Sequence, residues 1–240
     1  MISDPEEKNY SQASIKKIYE TDVQIKRLAS FTKIKFTKIS NSLIPAIDTN
    51  YNNEETRHVL RRYTYFGATY GLAFSLIFDV DETNACVKKT KVNVGFGAKS
   101  ELGKFIEFVE HENNIHIFFK GLISYARLNQ QRTRLFEALK RKYHRSLLIS
   151  SSSSTNEYLE PEEKQDFGDA IDLTLYWRNT VSRTGHVVPN IQLIPRVPPK
   201  WEIFDEKNLV SQLPAQFLKL VQLKGVQGAV EVCVRCIFDL

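Results

Sequence analysis

Three runs of this chain carry side chains with the means to do chemistry. His111, Glu112 and His116 bring two imidazoles and a carboxylate together, the ingredients of a helix-borne zinc-protease site in which histidines four apart hold the metal and the glutamate serves as base. Here the histidines are five apart, and Asn113-Asn114 between them predict a helix break, so solvated loop histidines are expected. Cys233 and Cys236 have the CxxC spacing. A structural zinc site would need two more ligands nearby and a redox pair a βαβ setting, while Cys233 shares an apolar helical face with Val230 and Ile237. Core or half-buried thiols follow. With no glycine-rich phosphate loop, nucleophile elbow or paired acid–base arrangement visible, the sequence predicts no catalytic residue, no metal and no cofactor.

The third run is charge. Between residues 127 and 145 the cations Arg127, Arg132, Arg134, Lys140, Arg141, Lys142 and Arg145 face one anion, Glu137, a local balance of +6 in a chain whose total is +5. Residues 157–169 set Glu157, Glu160, Glu162, Glu163, Asp166 and Asp169 against Lys164 alone, a balance of −5. A cationic helix end is ordinarily a solvated face. As a site it would take an acidic partner helix or DNA phosphates, and with few aromatics among its cations it is not built to stack single-stranded bases.

The elements that must position these groups read as α+β. A chain of 240 residues, 42% hydrophobic, can fold as two compact domains of roughly 100 residues each. Three cysteines (Cys86, Cys233, Cys236) behind a polar N-terminus without an apolar leader favour a reducing compartment, cytosol or nucleus. No apolar run approaches the ~18 residues of a membrane span, so no membrane partner is expected. Ser11 or Ser14 opens a helix with Ile15, Ile18, Ile25 and Ala29 on one side. At about 15 residues such a helix is marginal alone and needs a partner surface, either its own sheet or a second chain.

Alternation predicts strands at residues 34–36, within 57–70, at 74–80 and at 92–96, in an antiparallel meander because the connections are too short for parallel crossovers. Ser100 caps a short helix presenting Leu102, Phe105, Ile106 and Val109. A longer helix, about residues 115–143, spaces Phe118, Leu122, Tyr125, Leu128, Leu135, Leu139 and Tyr143 along one face and reaches about 40 Å. The pattern then repeats. Strands hold Leu147 to Ile149, then Leu173, Leu175 and Trp177, then Ile191 and Leu193 after a Thr184-Gly185 turn. Pro214 suits a first helical position ahead of Phe217, Leu220 and Val221, Gly225 stops that helix, and Val226, Ala229, Val230, Cys233 and Ile237 make the last one. The expected units are an arm and helix over residues 1–30, one module over 31–145 and another over 146–240.

Read in order, Glu101-Leu102 and Phe105, Phe118-Phe119, Leu122, Arg132, Phe136, Leu139 and Lys142-Tyr143, then Leu173 to Trp177-Arg178, Gly185, Val188-Pro189, Leu193, Val197-Pro198, Leu213-Pro214, Phe217, Leu220, Gly225 and Ala229 resemble the centromere protein P family, which includes the budding-yeast counterpart in the inner-kinetochore COMA complex. The resemblance runs from about residue 100 to 237 and rests on joint order rather than on any one piece. It implies tandem RWD modules, each an antiparallel strand meander packed against helices. It further implies a non-catalytic structural adaptor of the inner kinetochore in the nucleus, serving chromosome segregation, that heterodimerises with a centromere protein O-like RWD subunit and meets centromere protein Q- and U-like subunits. RWD modules resemble ubiquitin-conjugating enzymes in fold. Such an enzyme needs an exposed thiol downstream of a His-Pro-Asn motif, yet no His-Pro pair occurs in this chain and Cys86 stands too early.

Two sets of residues are expected to meet partners: the stripe Ile15, Ile18 and Ile25, and a rim of Lys219, Gln222 and Lys224 lying off the Leu213, Phe217 and Leu220 face. The seven cations of residues 127–145 form a basic patch, with a DNA-binding module as the alternative reading. Only weak contact with DNA is expected at physiological salt, the basic face adjoining acidic surface instead, either residues 157–169 or a partner subunit.

Overall fold

Period-2 alternation of β-branched and aromatic residues builds the first sheet. The computed structural model describes residues 29–44, 59–143, 147–150, 172–198, 205 and 208–238. Strands β1 (Ile34–Ile44), β2 (Leu60–Thr69), β3 (Leu72–Asp81) and β4 (Cys86–Val94) form an antiparallel meander in chain order, as expected. Phe74, Leu76, Val92 and Val94 point to one face and are buried there. Phe96 does not extend β4. It opens helix α1 (Phe96–Glu112), with Gly95 as N-cap, and is 85% exposed. The helical period set by Ala98, Leu102, Phe105 and Val109, all buried, starts ahead of Ser100, which is therefore interior and not a cap.

The break at Asn113-Asn114 is present, one residue serving each helix. Asn113 ends α1 in the left-handed region (φ 53°), and the Asn114 side chain accepts a hydrogen bond from the Ile117 N–H at 3.0 Å to cap α2 (Ile115–Lys142). Helix α2 supplies two cores. Phe118, Leu122 and Tyr125 pack with α1 and the first sheet, while Phe136, Leu139 and, just beyond the helix, Tyr143 pack with the second.

That second sheet joins β5 (Leu147–Ser150), β6 (Asp172–Val181) and β7 (Val187–Arg196). It is not a wholly antiparallel meander, because β5 pairs parallel to β6 and only β6 with β7 is antiparallel. Residues 151–171 give β5 and β6 the dozen or more residues that a parallel crossover requires. Leu173, Leu175, Trp177 and Leu193 face α3 (Leu209–Phe238), whose Phe217, Ala229, Val230, Cys233 and Val234 complete the core. Gly225 (φ 70°, ψ 173°) breaks α3 where a stop was expected. Pro214 is not a first helical residue but sits inside the helix. The start lies further back because Asp205 Oδ2 accepts from the Val210 N–H at 3.0 Å and the Asn208 carbonyl from the Gln212 N–H at 3.1 Å.

The turn between β6 and β7 touches α2 without side chains in between. A Cβ on Gly185 would lie 3.1 Å from the Gly121 N and 3.2 Å from the Ile117 carbonyl oxygen, and one on Gly121 would lie 2.4 Å from the Phe105 ring. Gly121→Ala should therefore lower stability by about 1–3 kcal/mol through overpacking, seen as a lower denaturation midpoint with unchanged slope. A midpoint raised by the better helix propensity of alanine would show that the contact yields.

Candidate interaction surfaces and the node between them

A buried polar group joins the two helices and the second sheet. Glu101 of α1 and Arg132 of α2 form an ion pair whose side chains are 1% and 9% exposed. Glu101 Oε1 accepts from Arg132 Nη1 (2.7 Å) and from the Asn179 backbone N–H of β6 (2.8 Å). Its Oε2 accepts from Arg132 Nη2 (3.0 Å) and from the Tyr125 hydroxyl (2.6 Å). Arg132 Nη1 also donates to the Trp177 carbonyl at 3.0 Å, and Nη2 to Asn129 Oδ1 at 2.6 Å. Burial, then the hydrogen bond to Glu101, pushes the Tyr125 phenol well above its ordinary pKa, so it stays a donor at physiological pH.

Arg132 is therefore not part of a basic patch. Its helical phase explains why: it stands seven residues after Tyr125, four before Phe136 and seven before Leu139, all buried on the same side of α2. The other members divide. Arg127, Arg134, Lys140 and Arg141 are exposed, Lys142 pairs with Glu231 of α3 at 3.0 Å, and Arg145 lies outside the described residues. The Lys142 ammonium beside Glu231 holds that carboxyl below the usual carboxylate range. Residues 157–169 also lie outside the described residues.

The stripe Ile15, Ile18 and Ile25 falls outside them too. Lys219, Gln222 and Lys224 are exposed on α3, and two residues absent from the expected rim stand among them, Leu218 (50% exposed) and Leu223 (81%). A second surface was not expected. The ladder Ile39–Tyr65–Leu76 and, two residues on, Asn41–Tyr63–Phe78 put these side chains on the helix-facing side of the first sheet. Phe119 of α2 reaches that side at Phe36, ring centroids 6.4 Å apart. Further along β1, Ile39 is 58% and Leu43 61% exposed, beside the stacked rings of Tyr63 and Phe78. In the sequence these are Phe36, Ile39 and Leu43, spaced by three and four, which a bulge between Phe36 and Lys38 brings to one face with Asn41 between the last two.

His111 and His116 belong to different helices, His111 Nδ1 lying 2.9 Å from Glu112 Oε1. Cys233 is buried, Cys236 exposed and Cys86 half-buried. Burial pushes the Cys233 thiol up to about 11.

Fold and surface together define a two-core α+β chain whose described residues expose apolar side chains at one end of the first sheet, two leucines on α3 and several cations on α2. The family profile described as "CENP-A-nucleosome distal (CAD) centromere subunit, CENP-P" matches residues 64–234, and the chain belongs to that family. Centromere protein P of Homo sapiens is 24% identical over 215 residues, which cover 87% of this chain and 73% of that protein. Centromere protein P of Gallus gallus is 24% identical over 216 residues, covering 88% and 71%, and that of Danio rerio 25% over 137 residues, covering 57% and 48%. The family is one of centromere and kinetochore subunits that serve chromosome segregation.

Glu101→Gln and Arg132→Met should each cost about 3–5 kcal/mol, because either leaves a buried charge without its partner, and should lower the melting temperature by roughly 10 °C. The double variant should cost less than the sum of the two by at least ~1 kcal/mol; strictly additive losses would show that the groups do not act as a pair. A second expectation concerns the thiols: brief alkylation at mildly alkaline pH, read by mass spectrometry, should label Cys236 and spare Cys233. Equal labelling would place Cys233 at the surface.

Proposed function

We propose that this chain is a non-catalytic structural adaptor of the inner kinetochore, built from tandem RWD modules over residues 31–145 and 146–240. It pairs with a homologous centromere protein O-like RWD subunit and presents further surfaces to centromere protein Q- and U-like subunits. The observation that carries the reading is the uncovered end of the first sheet, where Ile39 and Leu43 continue the apolar face that α1 and α2 cover elsewhere. Large apolar side chains exposed on one face mark an interaction site, and a related α+β module offers the complementary element. Leu218 and Leu223, exposed on α3 alongside Lys219, Gln222 and Lys224, offer apolar and polar anchors to a helical segment of a further subunit.

Co-expression with a centromere protein O-like subunit should give a 1:1 complex by light scattering, whereas the chain alone should self-associate. Ile39→Glu with Leu43→Glu should weaken the complex by about 10²-fold or more, as loss of two apolar anchors predicts, while leaving the circular dichroism spectrum unchanged. A well-behaved monomer at micromolar concentration, or a complex indifferent to both substitutions, would remove the basis for this surface.

A further inference from the structure

Helix α2 carries a second row of side chains besides its buried one. Lys120, Arg127, Arg134 and Arg141 recur at every seventh residue, and all four are exposed. Seven residues fall just short of two turns, so successive members stand about 10.5 Å apart along the axis and drift about 20° around it. The row runs ~32 Å on the side of α2 opposite Phe118, Tyr125, Arg132 and Phe136, which are buried. Among the described residues no ion pair engages any of the four. The sole carboxylate on the helix is Glu137, where Arg141 Nε donates to the backbone carbonyl at 3.3 Å rather than to the side chain. Ser124, Gln131 and Ala138, each four residues beyond a cation, are uncharged and leave one flank of the row open.

We propose that this row is a docking site for an acidic helical segment of another chain, with carboxylates recurring every seven residues. The proposal rests on the reading of the chain as a protein-binding subunit and adds the chemistry and period of one partner. Two helices crossing at about +20° in a left-handed sense keep residues of a seven-residue repeat facing each other, so the drift of the row is followed rather than lost. Each exposed charge pair contributes little alone, and discrimination comes from four pairs meeting in one register. Duplex DNA fits less well. It presents one charge per ~1.7 Å of axis and rewards dense cations, whereas here Lys142 is engaged by Glu231 and Lys140 stands off the row, about 100° round the helix from Arg141.

The test uses the full chain, co-expressed with its RWD partner, and two synthetic helical peptides of one composition and the length of α2. One carries four Glu at seven-residue spacing, the other the same four Glu grouped in one block. By fluorescence anisotropy at ~150 mM salt the spaced peptide should bind at least about tenfold more tightly than its isomer. Arg127→Glu with Arg134→Glu should abolish that advantage without moving the melting temperature, and a peptide with Lys at its two central Glu positions should recover binding to the doubly reversed chain. Equal binding of the two isomers, or no recovery by charge exchange, overturns the proposal. A duplex of about 24 base pairs that outcompetes the spaced peptide and is lost on the same reversals assigns the row to nucleic acid instead. Because the reversals leave the β1 surface untouched, failure of the row with the 1:1 complex intact is distinguishable from failure of the adaptor reading.

Discussion

The buried pair of Glu101 and Arg132 is the constraint on which the arrangement of this molecule depends. Removing a carboxylate and a guanidinium from water costs several kcal/mol per ion, recovered only when geometry is good and the remaining lone pairs and protons find partners. Both conditions hold. Each oxygen of Glu101 accepts two hydrogen bonds, and Arg132 turns its spare donors to Trp177 and Asn129. Such a pair adds little net stability over a well-packed apolar substitute. Its consequence is positional, because the six bonds draw on α1, α2 and β6 and are satisfied together only when those three elements meet in one way.

The contacts around the node follow from that meeting. With β6 held against α1 by the Asn179 N–H, the β6–β7 turn is carried onto α2, where Gly185 rests on the backbone at Gly121. Val187 at the start of β7 then lies in the core of the first sheet, while Phe136 of α2 lies edge-on to Trp177 in the core of the second. Each core borrows from an element that the chain order would assign to the other. The two sheets are thereby joined through packed side chains and hydrogen bonds, not through a linker, and any surface on one is held at a fixed position relative to the other.

Much of this was legible in the sequence, for identifiable reasons. The meander, the span of α2, the Asn113-Asn114 break and the stop at Gly225 were readable because periodicity and capping are local properties. Phe96 was misread because Val92, Val94 and Phe96 satisfy a period of two, and only the helical set beginning at Ala98 overrides it. The parallel β5–β6 pair was hidden because pairing direction is a long-range choice. Arg132 was assigned to the basic patch by counting charges along the chain, which ignores phase. The signal needed was there, since Glu101 and Arg132 both stood among the residues that resemble the family, and Arg132 is in step with Tyr125 and Leu139. The exposure of Ile39 and Leu43 was out of reach, because alternation tells which face a residue joins and not how far a covering helix extends along it.

The same reasoning explains how one helix holds cations of opposite fate two residues apart. At 100° per residue, Arg132 and Arg134 are separated by about 200°, which places one in the core and the other in solvent. In the core a single arginine requires Glu101, the Asn129 amide oxygen and a backbone carbonyl to be acceptable, and it fixes structure. In solvent the guanidinium of Arg134 needs no partner to be stable, so its place in a seven-residue row is not demanded by the fold. The buried row Phe118, Tyr125, Arg132 and Leu139 and the exposed row Lys120, Arg127, Arg134 and Arg141 share one seven-residue spacing on opposite sides of α2, so burial and not period distinguishes them. One spacing thus serves two sides of the helix: the buried row is fixed by the two cores, while the exposed row is left to solvent or to a surface outside them.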